Sequence, residues 1–157
     1  MTDRFDSKTG LSATAKRFLP LDVQARVAEA WSRGRALILN ANKESYSEAF
    51  TIESAQYSLL RTTILEAIDA LSVGGEPVLL ERVRLFVQEK LGKHPLFPNG
   101  RMTNYTRYTK TDMEARGELQ RVIKSGPQRI LRLSSDQVRS SGEQSRRRVQ
   151  AGTDRRK

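Results

Sequence analysis

The spacing of apolar residues predicts a mainly α protein with a small β-hairpin, an extra N-terminal helix and a disordered basic C-terminal tail. Two segments carry the helical signal. Tyr57, Leu60, Ile64, Ile68 and Leu71 step by three or four, and so do Leu80, Val83, Val87 and Leu91. The hairpin signal is two short apolar runs separated by Lys124-Ser125-Gly126-Pro127, where Gly beside Pro marks a turn. Hydrophobic residues make up 37% of the 157, below the roughly 45–50% of a typical globular domain. Such a deficit fits a core built in the middle of the chain between solvated ends.

Residues 1–17 hold few large apolar side chains and are expected to form a flexible arm. Residues 18–53 read as an N-terminal helix and a polar connector. Asp22 is a candidate N-cap, and Val23, Val27, Ala30, Trp31 and Ile38 recur at helical spacing as far as Asn40. The connector over 43–54 carries Tyr46 and Phe50. Ser54 is a candidate cap for the next helix, which Gly74-Gly75 ends. Glu76-Pro77 opens the following unit and Gly92 closes it. Two prolines and a glycine make residues 93–100 a turn, anchored by Leu96 and Phe97. A third helix is expected from about Met102 to Arg116, with Gly117 at its end. Leu119–Ile123 and Gln128–Leu133 form the hairpin. Residues 135–157, rich in Ser, Arg, Gln and Gly, cannot bury a core and are expected to be disordered.

Charge is distributed unevenly over these elements. The net charge is +10, yet residues 1–100 hold 13 Lys/Arg against 12 Asp/Glu. Residues 101–133 hold 8 against 3, and residues 134–157 hold 7 against 3. Concentrated cations attract polyanions because neutralised phosphates release their counterions. Double-stranded DNA is therefore the expected partner, and the cytoplasm, at the nucleoid, the expected location.

Other function classes find little support. The absence of cysteine and the single histidine, His94, exclude a disulfide framework and most zinc sites. No cofactor or metal is expected. A glycine-rich phosphate loop, a Cys/His nucleophile pair and an HExxH motif are all missing, so no enzyme is expected. No apolar run approaches the length of a membrane span.

Leu96-Phe97-Pro98, followed by Asp112-Met113-Glu114-Ala115-Arg116-Gly117, is the most specific pattern in the chain. A third helix ending in Glu-x-x-Gly ahead of a strand resembles the end of many bacterial winged helix-turn-helix regulators. The LFP turn and DxEARG ending also resemble a bacterial winged-helix-type domain family of uncharacterised function. The resemblance covers residues 54–134. It implies a winged-helix domain whose third helix enters the major groove while the hairpin touches the adjacent backbone.

The residues suit that role on their own chemistry. With Met102, Tyr105, Thr109 and Met113 turned inward, the opposite face carries Asn104, Arg107, Tyr108 and Thr111, flanked by Arg101 and Lys110. Arg107 and Asn104 have the donors and acceptors to read guanine and adenine. Thr103, Thr106 and Thr111 offer hydroxyls to phosphates. Lys124, Arg129 and Arg132 supply cations on the hairpin, and Arg146, Arg147 and Arg148 a grip in the tail. The helix expected over residues 22–40 carries enough apolar surface to suggest a homodimer, with packing onto its own domain the alternative. For function the alternatives are an adaptor docking an acidic protein partner and an RNA-binding protein.

Overall fold

The computed structural model describes residues 4–40, 50–122 and 127–133. Among them are five helices and small antiparallel sheets, so the protein is mixed α/β rather than mainly α with a single hairpin. The additional strands are only two to four residues long, too short for a period of two to register in the sequence.

The stretch expected to be a flexible arm is folded from Phe5 onward. Strands β1 (Phe5–Asp6) and β2 (Leu11–Ser12) pair antiparallel and lead into α1 (Ala13–Phe18). Ser12 caps that helix by accepting a hydrogen bond from the Ala15 N–H at 3.0 Å. Leu11, Ala15, Phe18 and Leu19 are buried. Gly10 makes the reversal possible: its φ is +72°, and a Cβ there would lie 2.5 Å from the Trp31 ring.

Helix α2 (Leu21–Ser32) begins after Pro20, with Asp22 in its first turn rather than at the cap. It stops at Ser32, not near Asn40, because Gly34 takes φ +77° and turns the chain into β3 (Arg35–Ile38). Strand β3 pairs antiparallel with β4 (Phe50–Glu53), aligning Ala36 with Ile52 and Ile38 with Phe50. Ala36 and Ile38 are buried at a spacing of two, a strand period within what reads as a helical series. The single helix expected over residues 22–40, on which the homodimer expectation was placed, is therefore a helix followed by a strand. Val23, Val27, Ala36, Ile38 and Leu39 are buried within their own chain, and Trp31 packs edge to face on Phe5 and Tyr57. Tyr46 lies outside the described residues.

Helix α3 (Ser54–Leu71) starts from a capping box formed by Glu53 and Gln56, not from Ser54. It ends at Leu71, with Ser72 as its C-cap, ahead of Gly74. Tyr57, Leu60, Ile64, Ala67 and Ile68 form the centre of the core. Strand β5 (Val78–Leu79) precedes α4 (Leu80–Leu91), which buries Val83, Val87 and Leu91. The following turn is pinned from both ends. Phe97 is buried, the Leu96 N–H donates to His94 Nδ1, and Gln88 donates to the Gly100 carbonyl while accepting from the Met102 N–H. Helix α5 (Thr103–Ala115) follows. Strands β6 (Leu119–Val122) and β7 (Arg129–Arg132) then pair, aligning Leu119 with Arg132 and Val122 with Arg129. β5 pairs with the other edge of β7, giving the strand order β5-β7-β6. Lys124 and residues 134–157, with Arg146, Arg147 and Arg148, lie outside the described residues.

The DxEARG ending holds these pieces together. Asp112 Oδ1 accepts from the Leu39 N–H at 2.9 Å, and Oδ2 accepts from the Tyr57 hydroxyl at 2.6 Å. Arg116 pairs with Asp112 at 3.0 Å and donates to the carbonyls of Gly10 and Leu37 at 2.7 and 2.9 Å. Its guanidinium also lies 4.8 Å from the centre of the Tyr57 ring. Burial pushes the Asp112 carboxyl up from the usual carboxylate range, while Arg116, the Leu39 N–H and Tyr57 oppose that shift. A second buried pair, Arg61 with Glu118 at 2.6 Å, joins α3 to the segment entering β6.

Candidate nucleic-acid interface

One stripe of α5 faces outward. Thr103, Asn104 and Arg107 are exposed and Thr111 is half-exposed. Thr103, Arg107 and Thr111 step by four and Asn104 lies three before Arg107, so their side chains rise from one side of the helix. The inward face buries Met102, Thr106, Thr109 and Met113. Thr111 Oγ1 donates back to the Arg107 carbonyl at 3.0 Å, so its hydroxyl hydrogen is engaged within the helix.

Three residues expected to meet phosphate are engaged in the fold instead. Thr106 is fully buried, because position 106 falls on the same face as Met102 and Met113. Lys110 is also buried, its ammonium 2.5 Å from Glu114 and 2.8 Å from the Gln128 amide oxygen. The long lysine stem lets the charge bridge α5 and the entry to β7. Arg132 turns away towards α3, where it pairs with Asp69 at 2.8 Å. With Arg116 buried as well, the exposed cations among the described residues of 101–133 are Arg101, Arg107, Arg121 and Arg129.

Tyr108 is neither a free contact nor a core residue. It is half-buried, packed edge to face on Phe50 at 5.0 Å and on Tyr105 at 5.6 Å, and Tyr105 in turn packs on Phe97 at 4.9 Å. Burial pushes the Tyr108 phenol well above its ordinary value, and Tyr105 adds to the shift. The hydroxyl therefore stays protonated at neutral pH and remains a donor.

Tyr105 and Tyr108 form one wall of a cleft of about 380 Å³ at the start of α5. Arg101, Thr103, Asn104, Tyr105 and Tyr108 line it together with Gln88 and Asn99. Four of the residues singled out from the sequence, Arg101, Thr103, Asn104 and Tyr108, thus meet around one concavity. Arg107 sits one turn further along, and Arg129 is exposed on β7. Arg84 on α4 approaches Thr103 Oγ1 at 3.4 Å and pairs with Glu81. Gln88, Asn99 and Arg84 escape the sequence reading. Gln88 sits in an amphipathic helix with no local mark, and its role depends on where residues 100–102 return.

Among the described residues no group of three or more His, Cys, Asp or Glu side chains is arranged to hold a metal. No helix there is long and apolar enough to cross a membrane.

The chain belongs to a family of unknown function (DUF6958), whose profile matches residues 35–130, more than half of its length. No curated protein and no solved structure matches it. The matched region runs from β3 into β7 and contains the whole outward face of α5. It leaves out β1, β2, α1 and α2.

Proposed function

We propose that this family member binds double-stranded DNA through the outward face of α5, as a transcriptional regulator or an architectural protein of the nucleoid. The observation that carries the reading is that stripe. Thr103, Asn104 and Arg107 stand exposed with Arg101 beside them, and the acidic residue on the same side, Glu114, is neutralised by Lys110. Arg107 and Asn104 are the candidate base readers; Arg101, Thr103 and Arg129 are candidate phosphate contacts. Lys124 and the arginines of the tail add to the same electrostatic attraction.

The topology supports a winged helix-turn-helix. After α3, the sequence of strand, two helices and two strands, with the first strand pairing on the last, is the arrangement such a domain needs. α5 then occupies the position of the helix that enters the major groove. The role is binding rather than catalysis.

A competing reading is an adaptor that docks an acidic protein. It is favoured by the internal pairing of Lys110, Arg116 and Arg132, which thins the basic surface that the sequence suggests. Fluorescence polarisation against random duplexes at several salt concentrations separates the two. DNA binding predicts an affinity that falls steeply with salt, whereas no detectable binding to any duplex at low salt leaves the adaptor.

A further inference from the structure

We propose that the cleft at the start of α5 receives a single nucleobase extruded from its stack, so that the protein prefers nucleic acid containing an unpaired base over a perfect duplex. The inference rests on the nucleic-acid reading above and names the group that this part of the surface takes.

The first argument is size. At about 380 Å³ the cleft stands at the small end of the roughly 300–1,000 Å³ of ligand sites. That suits one planar ring with its sugar, not a helix or a strand of a protein partner. The second is the lining. Tyr105 and Tyr108 supply aromatic surface, which any base can stack on, while Arg101 brings a planar cation that stacks or holds a phosphate. The third is the state of the polar groups. Among the described residues, the side chains of Asn99, Asn104 and Arg101 form no hydrogen bond or ion pair. Gln88, by contrast, is held by Gly100 and Met102 and serves as a fixed wall. Two free amides, each with a donor and an acceptor, match the edge of a base and not a phosphate, which offers acceptors alone.

Position adds a fourth argument. Asn104 lies on both the cleft and the outward stripe that carries Arg107. A duplex lying along α5 would therefore bring its bases within reach of the cleft, and a base with no partner leaves the stack at the lowest cost. Tyr108, protonated at neutral pH, contributes a donor at the aromatic wall.

The test uses the full chain and three labelled probes: a perfect duplex, the same duplex with one extrahelical adenine, and the single strand. The bulged duplex should bind about tenfold more tightly than the perfect one, the scale of one stacking contact. Asn99→Ala and Asn104→Ala, both at exposed positions, should remove that preference with the unfolding midpoint unchanged; Tyr108→Leu should remove it too, with a lower midpoint because its ring packs on Phe50 and Tyr105. Equal affinity for the bulged and perfect duplexes, with both bound, overturns the base site and leaves duplex binding standing. A preference that survives the asparagine variants also overturns it. No binding to any probe at low salt overturns both readings together.

Discussion

Asp112 and Arg116, one turn apart at the end of α5, form an ion pair that is almost wholly buried and closes on four residues from three other parts of the chain. The carboxylate takes hydrogen bonds from Leu39 and Tyr57, and the guanidinium gives them to Gly10 and Leu37. The pair is thus the junction of the N-terminal hairpin, β3, α3 and α5, and the motif that marks the sequence most clearly belongs to the architecture rather than to the outward face of α5.

Removing one side of that junction leaves a buried charge with no partner. Arg116→Met is expected to destabilise the protein by about 3–5 kcal/mol, the usual cost of breaking a buried pair. Urea denaturation followed by circular dichroism measures it. A loss below about 1 kcal/mol, within the range of exposed pairs, would refute the assignment.

Gly117 takes φ +81°, and a Cβ there would lie 2.6 Å from the Phe18 ring. Gly117→Ala combines backbone strain with a clash inside a packed cluster. It should cost more than the ~1 kcal/mol of a compatible glycine exchange. Thermal unfolding of the variant beside the parent gives the answer, and an unchanged midpoint would contradict this geometry.

Arg107 stands exposed with its charge free of any pairing among the described residues. Arg107→Glu should leave stability within about 0.5 kcal/mol of the parent. Its DNA affinity should drop, and the slope of log affinity against log salt should shrink by about one if the side chain meets a phosphate. If the side chain reads guanine, the loss should instead be about 1–3 kcal/mol and confined to particular sequences.

Lys110 makes the opposite case. Lys110→Met removes the contacts to Glu114 and Gln128, so stability should fall while the salt slope of DNA binding stays where it was. A reduced slope with unchanged stability would return Lys110 to the phosphate contacts.

Deleting residues 1–19 removes Leu11, Phe18 and Leu19 from the core, each worth roughly 1.5–3 kcal/mol of burial. It also takes the Gly10 carbonyl from Arg116 and uncovers Trp31. Against a total stability of about 5–15 kcal/mol, the shortened chain should lose cooperative unfolding. Differential scanning calorimetry that still showed a single sharp transition near the parental temperature would argue against this.

The helices were legible because their apolar residues repeat at 3.6 and their ends carry local marks, such as Gly92 after α4. β3 was not. Arg35–Ile38 is too short to display a period of two, and Ile38 also continues the spacing of Val23, Val27 and Trp31, so the two readings coincide until Gly34 is seen in its left-handed conformation. The N-terminal hairpin was missed for a related reason. It is held by Trp31, Arg61 and Arg116, distant in sequence, while its own composition is polar. Within the candidate site, helical phase placed Asn104, Arg107 and Thr111 outward and Met102, Thr109 and Met113 inward. Thr106 and Lys110 were misplaced by reading charge and hydroxyl chemistry ahead of phase, and Arg132 because its partner, Asp69, lies on a helix more than sixty residues earlier.

Gln128 holds the ammonium of Lys110, and Gln128 opens β7, so the hairpin is lashed to the middle of α5 by a single side chain. On the proposed DNA-binding reading, this bond joins the start of β7 to α5 before any encounter, and contacts joined in advance lose less conformational entropy on association.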